Sequence, residues 1–387
     1  MPRVDAGSRL RGAAAVVGVG QAGMGEAVGW SAMELLATAV RAALDDAGLG
    51  LHEVDGLFAG TAIHAMPTLS VAEYLGIRPR FSDGSMIGGA SFHAHALTAT
   101  MALEAGLCDV AVIAYGSDQR SAGGFASVSE PQPYEVPYAP RYPVSAYALA
   151  ASRHMFEFGT TREQLAEVAV AARAWARHNP EAFERGPLEV ADVLASRMVS
   201  DPLTVRDCCL VTDGAAAVVL VRSERAADAR RPPVYLLGGA TEHWHRQIAA
   251  MPDLTTTAAS VSGPRALRMA GLALADIDVV ELYDAFTITP LLFLEDLGFC
   301  RKGEGGAFVA DGAIAPGGRL PVNTNGGGLS CVHPGMYGLF MIVEAVRQLR
   351  GEAPGWQVPG AATALVHANG GTLSSQSTLV LGTGATL

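Results

Sequence analysis

Two runs of this chain are apolar at every position: residues 110–115 (VAVIAY) and 215–221 (AAAVVLV). A strand with one wet face alternates apolar and polar residues, so unbroken runs belong to strands covered on both faces. Such strands need helices above and below their sheet, and helix-spaced segments do lie between the runs. Residues 13–18 read as a buried strand, and Ala32–Ala47 follows as an amphipathic helix stopped by Gly48. A second strand is expected over 54–59 and an alanine-rich helix over 91–105. After 215–221 the alternation repeats: strand 233–238, helix 258–269, strand 278–282, helices 286–297 and 338–348, then strands 362–367 and 377–381. The expectation is an α/β chain of two similar strand–helix halves, residues 1–240 and 241–387, the first carrying an insertion at about 120–210. Within the insertion, Pro131, Pro133, Pro137, Pro140 and Pro143 make 120–143 a long loop. Residues 161–177 read as an amphipathic helix opened by Thr160 or Thr161.

Charge and cysteine usage exclude several classes. A net charge of -11 with only 27 Lys and Arg leaves no basic stripe to follow a phosphate backbone, so no nucleic-acid partner is expected. The five cysteines, Cys108, Cys208, Cys209, Cys300 and Cys331, form no C-x-x-C pair. Neither a disulfide framework nor a cysteine metal site is expected, and a reducing, cytoplasmic compartment fits. Arg3, Arg9 and Arg11 ahead of the apolar 13–19 run imitate a secretory leader, but the run passes into Gly18 and Gly20 without a small-residue cleavage site. It is read as the first strand. No apolar segment approaches the length of a membrane span.

Three segments carry candidate chemistry. Glu281-Leu282-Tyr283-Asp284-Ala285-Phe286-Thr287 lies where a strand passes into a helix, the end at which open α/β sheets bind ligands. Tyr283 reads equally as a core aromatic, and Asp284 as a helix N-cap. The loop Asn323-Thr324-Asn325-Gly326-Gly327-Gly328 exposes backbone N–H groups able to meet a carbonyl oxygen or a phosphate, and His333-Pro334 and Tyr337 follow shortly after. The third segment, His367-Ala368-Asn369-Gly370-Gly371, ends a buried strand, either as a plain turn or as part of a site.

These blocks, with Val17-Gly18-Val19-Gly20-Gln21 and Asp207-Cys208-Cys209 ahead of Asp213-Gly214-Ala215-Ala216-Ala217, resemble the thiolase superfamily in its sterol carrier protein branch. The resemblance runs through nearly the whole chain in order. It implies the thiolase fold, five layers with a helical loop insertion, and pairing into a homodimer across a sheet edge. In thiolases of this kind a nucleophilic cysteine opens the alanine-rich helix of the first half. Here that segment is Ile87-Gly88-Gly89-Ala90-Ser91-Phe92, and no cysteine lies between Phe81 and Leu107. Without a thiolate there is no acyl-enzyme by the usual route.

The turn that reads His-Asp-Cys-Phe in that branch is Tyr283-Asp284-Ala285-Phe286 here, and Tyr337 stands after the retained His333-Pro334. That pattern is similar to the lipid-transfer-protein-like aldolases of steroid degradation. The resemblance implies retro-aldol cleavage of a β-hydroxy acyl-CoA, a 17-hydroxy steroid thioester giving a 17-keto steroid and propionyl-CoA. Tyr283 and Tyr337 would share the proton work, while His333 and the glycine-loop N–H groups would form the oxyanion site. Asp284, Asn323, Gly326, Gly327, His367 and Gly371 are expected around the substrate. No cofactor or metal is expected beyond the CoA of the substrate. A small partner with an OB-fold and a zinc ribbon would complete an α2β2 heterotetramer. Two other readings stay open: an atypical thiolase or acyltransferase with Cys331 beside His333, and a non-catalytic acyl-CoA or lipid-binding subunit.

Overall fold

The computed structural model describes residues 9–61, 65–123 and 132–387; Arg3 and Pro131 lie outside the described residues. The first half runs β1 (Ala14–Gly25), α1 (Ala32–Ala47), β2 (Gly56–Ala59), α2 (Pro67–Leu75), β3 (Phe81–Asp83), α3 (Ser91–Glu104) and β4 (Val110–Ser117). The chain then leaves the sheet for α4 (Val144–Phe158), α5 (Arg162–Ala176), α6 (Val190–Ala195) and a ribbon of β5 (Met198–Ser200) with β6 (Leu203–Thr204), and returns as β7 (Asp213–Arg222). The second half is β8 (Val234–His243), α7 (Ala259–Ala270), β9 (Val279–Leu282), α8 (Ile288–Leu297), α9 (Gly338–Arg350), β10 (Thr363–Gly370) and β11 (Ser375–Gly382). β8 crosses residue 240 and pairs with β11, so the second half's strand pattern starts at Val234.

The strand order is β3-β2-β4-β7-β1-β8-β11-β10-β9. Both halves obey one rule: β2 is parallel to β4 as β9 is to β10, while β7 runs antiparallel to β4 and β1 as β11 does to β10 and β8. The halves join through a short antiparallel contact, Ala15 opposite Tyr235 and Val16 opposite Val234. α1 lies on β1, β4 and β7, and α7 lies on β8 and β11, whereas α3 and α9 touch strands of both halves. Two strand layers therefore enclose a central pair of helices and carry α1 and α7 outside, which makes five layers.

Local chemistry sets the ends of these elements. Ser31 Oγ accepts from Glu34 N and the Glu34 carboxylate accepts from Ser31 N at 2.8 Å, a reciprocal cap opening α1, and Gly48 closes it in the left-handed region. Every residue of α8 is buried, including Glu295 and Asp296. Their charges are met inside: Lys302 Nζ lies 3.1 Å from Glu295 and 2.6 Å from Asp296, and His154 Nε2 lies 3.0 Å from Glu295. Removing one partner of such a buried group costs several kcal/mol, about 3–5 in comparable cases, so this cluster fastens α4 of the insertion to the second half.

Candidate active site

β9 ends at Leu282, and the turn that follows is held by its neighbours: Leu282 N donates to Asn323 Oδ1 at 2.7 Å and Tyr283 N to the His367 carbonyl at 3.0 Å. The Tyr283 side chain is thereby aimed at the start of α9. Its hydroxyl oxygen accepts the N–H of Tyr337 at 3.1 Å, where the positive end of the α9 dipole favours negative charge on that oxygen. Tyr337 donates its own hydroxyl to Asn325 Oδ1 at 3.0 Å. His333 completes the group, with ring centroids 5.6 Å from Tyr283 and 6.2 Å from Tyr337, the tyrosines being 5.9 Å apart. The three side chains named from sequence as catalytic come together and are buried.

Their electrostatics differ. Burial pushes the Tyr283 phenol well above its ordinary pKa, the Tyr337 N–H opposing it, and burial aided by Asp284 does the same to Tyr337. Burial lowers the His333 imidazole to about 4, so it is neutral at pH 7. His333 is anchored by its backbone, N–H to Thr212 Oγ1 at 3.0 Å and carbonyl from Gln119 Nε2 at 3.0 Å, while its ring Nε2 has no partner among the described residues.

Gly89, ahead of α3, lies against the ring of Tyr283. A Cβ at Gly89 would stand 2.3 Å from Tyr283 Cε2, and one at Gly338 would stand 2.2 Å from the Gly89 carbonyl oxygen, so the N-termini of α3 and α9 meet beside the phenol. Gly89→Ala should displace Tyr283 and lower kcat for the enzyme's reaction at least about tenfold, given how steeply rate depends on placement. Steady-state kinetics with a near-UV circular dichroism spectrum checks this. In the segment that opens α3, no nucleophile replaces the missing thiol. Ser91 is buried, with its Oγ donating to the Gly88 carbonyl at 2.7 Å and accepting the Ile87 N–H at 2.9 Å. Ser85 Oγ donates to Asp83, and burial pushes the thiol of Cys331 well above its usual pKa.

The glycine loop corrects one expectation. Its N–H groups serve the loop itself: Gly326 N donates to the Asn323 carbonyl at 2.8 Å, Gly327 N to Asn325 Oδ1 at 2.8 Å, and Gly328 N and Leu329 N to Asp284 at 2.6 and 3.2 Å. They are not free to hold an oxyanion. Asp284 caps this loop rather than α8, and its burial raises the carboxyl to about 6 against the pull of those donors. Gly327 has φ +65°, and a Cβ there would stand 2.1 Å from Asp284 Oδ2, so only glycine fits. Residues Gly327–Cys331 form a π-helical turn, which three successive glycines do not announce.

His367, expected beside the substrate, turns its side chain away from the tyrosines. Its ring nitrogens lie 2.8 Å from Thr378 Oγ1 and 2.9 Å from Gln376 Oε1, and its ring packs edge-on to Phe293. Only its carbonyl reaches the site, through Tyr283 N. Gly371 does border the site: its carbonyl accepts the Tyr147 hydroxyl at 3.0 Å, and Tyr147 accepts from Asn369 Nδ2 at 2.7 Å. Tyr147, on α4 and buried against Phe286, is a site residue that the sequence reasoning does not single out. Its spacing from Ala146, Ala150, Ala151 and His154 on one helical face is the available signal. Beside α4 lies a largely apolar cavity of about 450 Å³ lined by Tyr138, Tyr142, Leu149, Ile248 and Met251 among others. Among the described residues, no three His, Cys, Asp or Glu side chains are grouped to hold a metal ion.

Comparison with known proteins places this arrangement. Residues 240–383 match a family model described as thiolase C-terminal domain-like. A Mycobacterium tuberculosis protein named 17-hydroxy-3-oxo-4-pregnene-20-carboxyl-CoA lyase is 35% identical, over 96% of this chain and 100% of its own length. This chain belongs to the thiolase superfamily. Within it, the similarity is to the sterol carrier protein-type branch that includes steroid side-chain-cleaving aldolases. The solved structure of an "Ltp2-ChsH2(DUF35) aldolase" superposes with a TM-score of 0.88 at 34% identity, covering 97% of this chain and 98% of that one. A Methanothermobacter thermautotrophicus protein named acetyl-CoA acetyltransferase is 36% identical over 92% of this chain and 96% of its own length. Relatives of similar identity thus bear names of two different reactions, and the choice between them rests on the site.

Proposed function

We propose that this thiolase-fold chain is a carbon–carbon lyase: a retro-aldolase that cleaves a β-hydroxy acyl-CoA, a 17-hydroxy steroid thioester, into a 17-keto steroid and propionyl-CoA. The observation that carries the reading is the pair of buried tyrosines beside a neutral histidine, with no thiol or activated serine in the segment that opens α3. Retro-aldol cleavage needs a group to take the β-hydroxyl proton, a donor for the thioester enolate and a proton for the α-carbon, and it needs no covalent nucleophile.

Tyr283 takes the proton. Its oxygen is held at the start of α9 and its own O–H meets no protein acceptor among the described residues, whereas the proton of Tyr337 is committed to Asn325. Because burial keeps the Tyr283 phenol protonated, it acts as a relay: its own proton goes to the α-carbon while its oxygen takes the β-hydroxyl proton, as the Cα–Cβ bond breaks and the ketone forms, so Tyr283 ends as it began. With the glycine-loop N–H groups occupied, the thioester oxygen falls to His333 Nε2, in the tautomer that carries its proton there. Asp284, Asn323, Gly326 and Gly327 shape the turn on which this rests, and Gly371 with Tyr147 borders the substrate. The apolar cavity beside α4 is of a size to take part of a bulky acyl-CoA.

The rival acyltransferase predicts a covalent intermediate. Incubation of the protein with acyl-CoA thioesters followed by intact-mass measurement should find no acyl adduct. An adduct mapped to Cys331 would replace the lyase by an acyltransferase.

The assembly is part of the proposal. β3 is a three-residue edge strand with Met66, Leu69, Tyr74 and Met86 exposed nearby, which suits pairing with a second copy into a homodimer. The superposed aldolase is named together with a DUF35 protein, ChsH2, and we extend that pairing to this chain: an OB-fold, zinc-ribbon partner in an α2β2 complex. Five free thiols fit a cytoplasmic enzyme. No described helix is long and apolar enough to cross a membrane.

A further inference from the structure

Beneath the tyrosine pair lies a cluster that the proposed chemistry does not use. Glu281 on β9 and Glu344 on α9 are both buried, and both approach a single hydroxyl: Thr324 Oγ1 is 2.9 Å from Glu281 Oε1 and 2.6 Å from Glu344 Oε1. Thr324 N also donates to Glu281 Oε1 at 3.2 Å and Gln348 Nε2 to Glu344 Oε1 at 3.0 Å, while Glu281 Oε2 has no partner among the described residues. One threonine has one proton to give, so two ionised carboxylates would leave one oxygen facing the hydroxyl with nothing between them. Among the described residues no lysine or arginine pairs with either glutamate. Arg347, whose charge acts on Glu344, bonds Glu181 instead, at 2.6 Å.

From this arrangement we infer that Glu281 and Glu344 share one proton across Thr324 Oγ1, and that the shared proton fixes the Asn323–Asn325 turn, making both glutamates positioning residues for Tyr337. The link is short. Thr324 sits between Asn323, which holds the β9 terminus, and Asn325, which accepts the Tyr337 hydroxyl. The role assigned to Tyr337 rests on the retro-aldolase reading; the shared proton does not.

Burial raises both carboxyls, that of Glu281 further through the charge of Glu344 and that of Glu344 through Glu181, which agrees with the hydrogen count. The other groups facing the pair are Asp284 from the turn after β9, Cys331 and Tyr337 from the chain leading into α9, Arg347 on α9 and Glu181 from the insertion. A carboxyl with a raised folded-state pKa stabilises the fold below its unfolded value, and that contribution is lost as pH rises through the folded one. Ionising both glutamates should therefore loosen the turn on the alkaline side.

Two readouts test this. Infrared spectra of the intact protein carrying 13C-labelled glutamate should contain a protonated-carboxyl band at neutral pH that Glu281→Gln removes. A wild-type spectrum with ionised carboxylates alone would overturn the inference, as would a band unchanged in Glu281→Gln. The wild-type spectrum decides even if the variant fails to fold. In kinetics, Glu281→Gln cannot ionise, so the alkaline fall in kcat of the wild type should flatten while KM stays within about twofold. Glu281→Leu, with no group to meet Thr324, should lose at least about tenfold in kcat at every pH. An alkaline limb identical in wild type and Glu281→Gln overturns the positioning role. If the wild type cleaves no β-hydroxy acyl-CoA, the lyase reading fails while the infrared band still decides the shared proton.

Discussion

Tyr283→Phe removes one oxygen and is expected to lower kcat for side-chain cleavage by about 100- to 10,000-fold, the usual worth of a positioned acid–base group. The ring of Tyr283 stays: its packing against the Gly89 backbone, His333 and Tyr337 needs no hydroxyl. The structural loss is one hydrogen bond, the N–H of Tyr337 left without its acceptor, which costs about 1–3 kcal/mol. Stability should fall modestly while turnover nearly disappears. Tyr337→Phe should be milder, because its phenol is committed to Asn325 and acts beside the reaction. Steady-state rates with a thermal melt for each variant separate the two. Wild-type rates in both would remove the tyrosines from the mechanism.

The second large effect is expected at His333. His333→Ala should lower kcat by about 100- to 1,000-fold, in line with removal of one oxyanion donor, with KM changing far less. Its ring nitrogen Nε2 is buried and without a partner among the described residues, and leaving a polar atom in that state is justified where a substrate oxygen completes it. Because burial holds the imidazole at about 4, the neutral donor form persists from alkaline pH down to well below neutrality and is lost only as pH approaches that value. His333 should therefore contribute no acid limb at the ordinary histidine pKa of about 6.5, and a limb near 6 would belong to Asp284. Added imidazole should restore part of the His333→Ala rate. A variant with wild-type kcat would assign the oxyanion to another donor.

Much of the fold is legible in the sequence because covered strands announce themselves. The runs at 110–115 and 215–221 fall within β4 and β7, and helix spacing marks α1, α3, α5, α7 and α9 within a few residues. β1 outruns its apolar stretch since its second part, from Gly18 to Gly25, is held by antiparallel pairing with β7 rather than by large side chains. α4 is hard to read because alanine gives little contrast between buried and exposed faces, and its start follows directly on a proline-rich stretch. At the site, Tyr283, Tyr337 and His333 are nameable from motif resemblance. The bonding of the glycine loop is not, because which oxygen an N–H meets is settled by tertiary packing: Asp284 sits far from Gly328 in sequence and 2.6 Å from it in the fold. His367 misleads for the same reason, since a histidine ending a buried strand looks alike whether its ring meets a substrate or Gln376.

The retro-aldol claim is tested most directly by running the reaction in D2O with a 17-hydroxy steroid side-chain CoA thioester, using the protein alone and together with a DUF35-type partner, and analysing products by mass spectrometry. The account predicts a 17-keto steroid without deuterium and propionyl-CoA carrying one deuterium at its α-carbon. Free CoA with an acylated protein, and no 17-keto steroid, would contradict it.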